Sequence, residues 1–281
     1  MSAADPGWSL PGQRLDLSSG VLVGVLNVTP DSFSDGGEFT DTPVAIAHGI
    51  AMAGQGAAIV DVGGESTRPG AKPVSEDEEK RRLLPVVEGL LAAGVVVSVD
   101  TYKPAVARAG LAAGAAVIND VTGFRDHEMV GVVADSRCGV VAMHMRGTPV
   151  DMHLDPTYDD VVGEVEAYLL AAAERLEAAG IPRERIVIDP GIGFGKRAAH
   201  SLTLLANLDR LAAHDLPVMV GTSRKGFLGK VSGNDTREGR DRATAVTTAL
   251  AFTRGARVFR VHDVVGSRDA LRVAGAIVAN Q

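Results

Sequence analysis

The chain of 281 residues has little of several features that mark other classes of protein. Its single cysteine, Cys138, excludes a disulfide framework and a cysteine-rich metal site. No apolar run reaches the roughly 18 residues of a membrane span, and the N-terminus lacks the basic and apolar segments of a secretion signal. The net charge of −7 argues against a broad basic surface. We therefore expect a cytoplasmic protein with no nucleic-acid or membrane partner.

Aromatic residues are also scarce, at 4%, whereas 33 glycines predict many tight turns or close approaches of backbone to a ligand. Against this background, eight short runs rich in Val and Ile recur, each followed by a loop and a helix-like stretch. The runs occupy residues 21–27, 57–62, 95–100, 115–120, 139–144, 185–189, 217–221 and 256–262. The helical stretches lie near residues 42–55, 75–93, 103–113, 128–136, 158–179, 202–214, 240–253 and 267–279. The runs are continuous rather than alternating, which is typical of parallel strands buried on both faces.

Eight strand–helix units predict an α/β fold, a (β/α)8 TIM barrel formed by residues 21–281 as a single domain. A doubly wound open sheet is the alternative, because short apolar runs do not prove that the sheet closes. Residues 1–20 form an N-terminal extension, in which residues 15–17 are a possible small strand at the barrel floor. Ser75 and Glu78 predict a capping box at the start of the second helix.

Polar residues recur where the predicted strands end, and in a parallel barrel this is the face that binds ligands. They are Asn27, Asp61, Asp100, Asn119, Asp120, His144, Asp189, Ser223, Lys225, Arg260 and His262. Any one of these could simply cap the following helix. As a set, Asp100, Asn119 and Asp189 suit a ligand with several adjacent N–H donors. Two carboxylates alone would instead suit acid–base chemistry or metal binding. The role of Asp61 stays open.

Basic residues cluster after the last two strands although the chain is acidic overall. Residues 223–225 (Ser-Arg-Lys) follow the seventh strand, and Arg260 and His262 end the eighth. Barrels often bind phosphate with these loops, so we expect a phosphate or diphosphate site. The alternative is a solvated basic rim.

Three further segments stand out. The long loops over residues 29–37 and 63–70 are typical of functional lids, although mobile surface loops are the alternative. The run Gly-Ile-Gly-Phe-Gly-Lys at 191–196 matches no nucleotide-binding motif and predicts a tight turn that shapes a pocket. His144 and His153 lack a zinc-ligand spacing.

Several of these segments together resemble the dihydropteroate synthase family. The long ones are LNVTPDSFSDGG at 26–37, DVGGESTRPG at 61–70 and DPGIGFGK at 189–196. The short ones are SVDT at 98–101, IND at 118–120, SRK at 223–225 and RVHD at 260–263. The resemblance runs in order from about Leu15 to the C-terminus.

The resemblance implies a (β/α)8 barrel of folate biosynthesis. Such a transferase condenses 6-hydroxymethyl-7,8-dihydropterin diphosphate with 4-aminobenzoate, giving 7,8-dihydropteroate and diphosphate. It also implies Mg²⁺ as the cofactor, these two small molecules as substrates, and a homodimer.

The resemblance assigns roles to individual residues. Those that bind pterin diphosphate are Thr67, Asp100, Asn119, Asp189, Lys225, Arg260 and His262. Those that line the aminobenzoate pocket are Phe33, Thr67, Arg68, Pro69, Phe194 and Gly226. Those with a catalytic role are Lys225, Arg260, His262 and Arg68, and Asn27 holds Mg²⁺ on the diphosphate. Gly226 departs from the family pattern, because many relatives carry Ser there near the aminobenzoate carboxylate.

The mechanism we expect needs no protein nucleophile, because the diphosphate departs first and the arylamine then attacks the pterin methylene. Three alternatives have different signatures. A pterin-binding methyltransferase barrel would not need the basic residues of the last two strands. A non-catalytic paralogue would have degraded early loops. An aldolase-like barrel would need a Schiff-base lysine, for which Lys225 is the only good candidate.

Overall fold

The computed structural model describes residues 7–29, 42–66, 73–148, 150–152, 154 and 156–280. An antiparallel hairpin, β1 (Gly7–Leu10) and β2 (Gln13–Asp16), precedes the main sheet. The eight parallel strands are β3 (Val21–Asn27), β4 (Ile59–Gly63), β5 (Val97–Asp100), β6 (Val117–Asp120), β7 (Gly139–Met143), β8 (Ile186–Asp189), β9 (Met219–Val220) and β10 (Val258–Val261). Each falls within or beside one predicted run.

The sheet closes on itself. Its hydrogen-bonded order runs from β8 through β7, β6, β5, β4, β3 and β10 to β9. The remaining gap is closed by a parallel bridge between Ile188 and Val218, where the Ile188 N–H donates to the Pro217 carbonyl at 3.0 Å. The predicted (β/α)8 barrel is therefore confirmed, and the alternative of an open sheet is wrong.

The helices surround this barrel. They are α1 (Thr42–Gln55), α2 (Glu76–Ala92), α3 (Pro104–Ala113), α4 (His127–Ala134), α5 (Val161–Ala178), α6 (Ala198–Ala206), α7 (Leu208–Ala212), α8 (Gly226–Ser232), α9 (Arg237–Thr253) and α10 (Val264–Val278), with a short 3₁₀ turn at Arg183–Arg185. Among the described residues, no helix combines the length and apolar character that crossing a membrane would need.

Two helix predictions differ from the structure. The stretch predicted as one helix over 202–214 is two helices, because Asn207 leaves helical backbone geometry at φ −124° between α6 and α7. Ser75 does cap α2 by accepting from the Glu78 N–H at 3.2 Å, but the Glu78 carboxylate pairs with Arg81 and Arg82. The reciprocal half of the predicted capping box is therefore replaced by ion pairs along the helix.

The barrel floor, formed by the amino ends of the strands, is apolar and plugged by the N-terminal hairpin. Trp8 is fully buried there against strand residues such as Val117 and Val187, and its Nε1–H donates to the Arg185 carbonyl at 2.9 Å. The strand predicted at residues 15–17 overlaps β2, but no sequence pattern indicated β1, which carries Trp8. The hairpin therefore covers the end of the barrel opposite to the strand ends that carry Asp100 and Asp189.

Candidate active site

The barrel mouth, formed by the carboxyl ends of the strands, contains several of the described residues that are predicted to bind a ligand. Every second residue of a barrel strand faces the interior, so the last inward positions of neighbouring strands form a ring. The ring contains Asn27, Gly63, Asp100, Asn119, Met143, Asp189, Gly221 and Arg260. Each member comes from a different strand or strand end, so no single local motif contains the whole site.

Arg260 is the centre of the hydrogen-bond network at the mouth. Its Nε–H donates to Asp61 Oδ2 at 2.6 Å, and its Nη2 group donates to Asp100 Oδ2 at 2.7 Å. Asp61 Oδ2 also accepts from the Asn119 amide at 3.0 Å. One guanidinium thus faces two carboxylates. Burial acts to lower the pKa of Arg260, but the charges of these carboxylates outweigh it and raise the pKa.

Two carboxyl groups at the mouth have pKa values near neutrality. Burial raises the pKa of Asp100 to about 7, with the Asp61 charge adding to the shift and Arg260 opposing it. Burial likewise raises the pKa of Asp189 to about 6, against the effect of its hydrogen bond from the Gly191 N–H at 2.7 Å. Groups with such shifts are common at functional sites.

Lys225 supplies a second cation at the mouth. Its ammonium group lies 4.0 Å from the centroid of the Phe194 ring, an arrangement that a cation–π attraction stabilises. Burial and the Arg260 charge lower the pKa of Lys225 to about 8, with Asp189 acting in the opposite sense. The lysine is therefore positively charged at neutral pH and close to losing that charge.

The other predicted basic residues separate in space. His262 stays at the mouth, where its Nδ1 and its backbone N–H share the Ser223 hydroxyl at 2.7 and 2.9 Å. Arg224, in contrast, has a left-handed backbone with φ 57° and forms a bidentate ion pair with Asp241 of α9. The basic cluster expected over residues 223–225 therefore contributes Lys225 and Ser223 to the site, but not Arg224.

The turn after β8 is tight, as the sequence predicts, whereas its part in shaping a pocket stays a prediction. Gly191 and Gly195 have positive φ, and a methyl group on either would collide with a backbone oxygen of residues 144–146. Lys196 fastens this turn, because its buried ammonium group lies 2.7 Å from His144 Nδ1 and 3.0 Å from the carbonyl of Phe194. Burial lowers the pKa of Lys196 and of His144, the latter to about 2.

Sequence reasoning missed Lys196 as an anchor, and it also missed a buried ionic cluster below the second early loop. The Lys103 ammonium group bridges Glu65 at 2.5 Å and Glu79 at 2.6 Å, and Tyr102 donates to Glu65 at 2.7 Å. Lys103 lies far from both carboxylates in the chain, so spacing offered no signal for either contact.

Glycines leave room for a ligand at the mouth. A methyl group on Gly63 would lie 3.6 Å from the Asn27 amide oxygen and 3.6 Å from the Asp100 side chain. A methyl group on Gly221 would lie 3.8 Å from Arg260 and 3.9 Å from Asp189. Side chains would fit these positions, but they would fill the space enclosed by the ring.

The remaining predicted site residues fall into two groups. Gly226 is exposed at the first position of α8, and a methyl group added there would have no described atom within 4 Å, so a side chain would have space. Phe33, Thr67, Arg68 and Pro69 lie outside the described residues. Among the residues that are described, no group of three or more His, Cys, Asp or Glu is arranged to hold a metal.

Comparisons with known proteins agree on one family. The family described as "Pterin binding enzyme" matches residues 23–262. Dihydropteroate synthase from Mycobacterium leprae is 48% identical over 262 residues, which cover 91% of this chain and 92% of the relative. The chain belongs to the dihydropteroate synthase family.

Solved structures of the family have the same fold. Xanthomonas albilineans dihydropteroate synthase with 4-aminobenzoic acid superposes with a TM-score of 0.92 and 46% identity, covering 98% of this chain and 99% of that one. The same enzyme in complex with 7,8-dihydropteroate superposes with a TM-score of 0.88 and 43% identity, again covering 98% of this chain and 99% of that one. The family, the barrel and the transferase activity in folate synthesis predicted from the sequence are confirmed.

Proposed function

We propose that this chain joins 6-hydroxymethyl-7,8-dihydropterin diphosphate to 4-aminobenzoate, forming 7,8-dihydropteroate and releasing diphosphate. The observation that carries the proposal is the barrel mouth itself. Acceptor oxygens of Asp100, Asn119 and Asp189 lie at the same barrel mouth as Lys225 and Arg260, and the side chains of Asn119 and Asp189 are buried. The family relatives have been solved with 4-aminobenzoic acid and with 7,8-dihydropteroate, which are one substrate and the product of this reaction.

The acceptor oxygens suit the pterin ring. A dihydropterin carries an amino group and ring N–H groups along one edge, and these donors need acceptors once the ring leaves water. Asp100, Asn119 and Asp189 supply such acceptors from β5, β6 and β8. Lys225 supplies a donor for a ring acceptor, and its position against Phe194 restricts its movement.

The cations suit the diphosphate. Arg260 presents a planar fork and His262 lies beside it, held by Ser223. Both would stabilise the negative charge that grows on the departing diphosphate, which is an electrostatic form of catalysis. Thr67 and Arg68, assigned to the same substrates from the sequence, stay predictions because they lie outside the described residues.

The donor set at the mouth fits Mg²⁺ bound to a substrate rather than to the free protein. Mg²⁺ is usually held by one or two protein oxygens together with substrate phosphates. Asn27 offers one amide oxygen at the end of β3, adjacent to Gly63 and across from Asp100. Asn27 would therefore be the residue that holds the ion, and the ion would neutralise negative charge on the diphosphate leaving group.

The aminobenzoate pocket lies beside Phe194 and Gly226 in this proposal. Phe194 offers an aromatic wall, and Gly226 leaves open space at the start of α8. The resemblance adds Phe33 and residues 67–69, whose roles stay predictions.

The chemistry proceeds by loss of the leaving group before attack. The bond between the pterin methylene carbon and the diphosphate oxygen breaks, and the oxygen keeps the electron pair. The arylamine nitrogen then forms the new C–N bond and releases a proton to solvent. The residues of the mouth bind, orient and stabilise charge, and none of them forms a covalent bond to the substrate.

Two finer expectations complete the proposal. A homodimer is supported by an apolar face on α9 and α10, where Val246, Leu250, Val273 and Ile277 are each more than half exposed. Leu250→Glu with Ile277→Glu should convert the dimer to monomers in sedimentation experiments. A cytoplasmic location stays a prediction supported by the single, buried cysteine.

Diphosphate release tests the function. With both substrates and Mg²⁺, diphosphate and dihydropteroate should form in equal amounts, whereas a methyltransferase barrel would release no diphosphate. A single turnover without aminobenzoate then tests the order of steps. Diphosphate release under that condition supports the dissociative order, and no release alongside fast complete turnover contradicts it.

A further inference from the structure

Asp61 occupies an unusual place in the barrel. It lies in the middle of β4, where its neighbours Val60 and Val62 pack in the core towards the helices and its own side chain faces the interior. It is fully buried, one layer below the residues of the mouth. Its Oδ2 accepts from Arg260 of β10 and from Asn119 of β6, so it connects two strands that are not its neighbours.

The arrangement is not the one that stability alone would favour. Asp61 Oδ1 is buried and has no hydrogen-bond donor among the residues that the structure describes. An ionised carboxylate with an unsatisfied oxygen is costly inside a protein. Arg260, its counter-ion, is also shared with Asp100. Both residues that donate to Asp61, Arg260 and Asn119, are assigned above to the ligand, so the geometry points to a role towards that ligand.

Asp61 decides which end of the Asn119 amide faces the pocket. An ionised carboxylate can only accept hydrogen bonds, so the amide end that meets Asp61 Oδ2 must be the Nδ2 donor. The acceptor Oδ1 of Asn119 is therefore the end left for a ligand. Without Asp61, the amide could rotate and present a donor where the pterin edge also presents a donor.

Asp61 also fixes the plane of the Arg260 guanidinium. The contacts from Nε to Asp61 and from Nη2 to Asp100 hold two sides of the fork at once. A fork held at two points loses less freedom when it binds a ligand. This second effect concerns the diphosphate, whereas the Asn119 effect concerns the ring.

We propose that Asp61 is a positioning residue for the pterin substrate: it locks the Asn119 amide with its oxygen towards the ring and aligns Arg260 for the diphosphate. The proposal rests on the pterin-binding role given above to Asn119 and Arg260. It makes the pocket selective for a heterocycle edge that carries N–H donors, through a residue that does not itself line the mouth.

The first experiment measures binding of the two halves of the substrate separately. Asp61→Asn should weaken binding of 6-hydroxymethyl-7,8-dihydropterin by about 10-fold to 100-fold, the scale of a hydrogen bond that involves a charged group. Binding of inorganic diphosphate should weaken less, and the KM for 4-aminobenzoate should stay within about twofold of the wild-type value, since Asp61 is not hydrogen-bonded to a residue assigned to that pocket. A general loss of structure would instead weaken all three together.

Ser98→Ala is the matched control. Ser98 is the register partner of Asp61 on β5 and is buried to a similar extent. Its hydroxyl takes no part in the hydrogen bonds that join Asp61 to Arg260 and Asn119. We expect the pterin affinity of the Ser98→Ala variant to stay within about threefold of wild type, because the substitution removes only one interior hydroxyl.

The second experiment exchanges the two side chains. Asn119→Asp alone places two carboxylates together, whereas Asp61→Asn with Asn119→Asp restores one amide and one carboxylate at the same hydrogen bond. The double variant should bind the pterin about 10-fold more tightly than Asn119→Asp alone, a departure from additivity that reports direct coupling. Because it compares Asn119→Asp with the double variant, this experiment also tests the role of Asp61 if Asp61→Asn alone fails to fold.

The outcomes separate the two proposals. Wild-type protein that binds no pterin would overturn the proposed function itself. Wild-type protein that binds pterin, together with a folded Asp61→Asn variant of equal affinity, would overturn only the role of Asp61. Equal binding by Asn119→Asp and the double variant would overturn it as well.

Discussion

The two ends of the barrel are made by the same eight strands and differ in almost every physical respect. At the floor, Trp8 is buried among aliphatic side chains and its only polar group has a partner. At the mouth, burial raises the pKa values of Asp100 and Asp189, and one layer below it the buried carboxylate of Asp61 pairs with Arg260. The floor therefore contributes stability, whereas the mouth carries charged groups that cost stability and serve binding.

The largest effect we expect is at the floor. Trp8→Ala removes a fully buried indole and should lower the free energy of unfolding by about 3–5 kcal/mol, measured by denaturant unfolding. Activity per folded molecule should not change, because the floor does not contact the mouth. Trp8→Phe, which loses mainly the hydrogen bond to the Arg185 carbonyl, should cost only about 1 kcal/mol. A large change in KM for either variant would contradict the division between the two ends.

At the mouth we expect the opposite result, a large loss of activity with little change in stability. Asp100→Ala and Lys225→Ala should each lower kcat/KM by about 100-fold to 1,000-fold, the scale of losing one charged group that stabilises a transition state. Thermal unfolding should change little, because each substitution also removes a group that is costly to bury. Near-normal activity in either variant would remove that residue from the site.

The charge of Lys225 gives a pH-dependent test of the mouth. Burial lowers the pKa of this lysine to about 8, so the cation is fully present well below pH 8 and is lost as the pH rises through that value. Pterin diphosphate binding should therefore weaken above about pH 8. Lys225→Arg keeps a charge at all accessible pH values and should move this alkaline limb upwards even if its maximal rate is lower. If the alkaline limb of the pH profile is unchanged in Lys225→Arg, the loss of binding at high pH reports the titration of another group.

The smallest effect we expect is at the edge of the mouth. Gly226→Ser places a hydroxyl in open space at the start of α8. If this hydroxyl reaches the aminobenzoate carboxylate, the KM for aminobenzoate should fall by about 2-fold to 10-fold, the scale of one hydrogen bond. Gly131→Ser, at an exposed α4 position that also has space, should leave the KM unchanged. An increase in KM for Gly226→Ser would show that the glycine itself serves the pocket.

Local patterns predicted most of the fold because each strand–helix unit carries its own signal. The continuous apolar runs located the strands, and the polar residues that end them, such as Asp100 and Asp189, located the mouth. The hairpin strand Gly7–Leu10 was not predicted, because four residues are too few to show a strand periodicity in the sequence. The helix break at Asn207 was not predicted, because the apolar pattern of α6 continues into α7.

By itself, the sequence determined the barrel, the family and which residues end the strands. Each of these follows from patterns among residues that lie close together in the chain. The tertiary structure alone decided which of them meet. Arg260 contacts Asp61 across 199 positions of sequence, and Arg224 turns away from its neighbour Lys225 to pair with Asp241. The physical reason is that hydrogen bonds and charges act through space over a few ångströms, and only closure of the barrel brings such distant strands within that range.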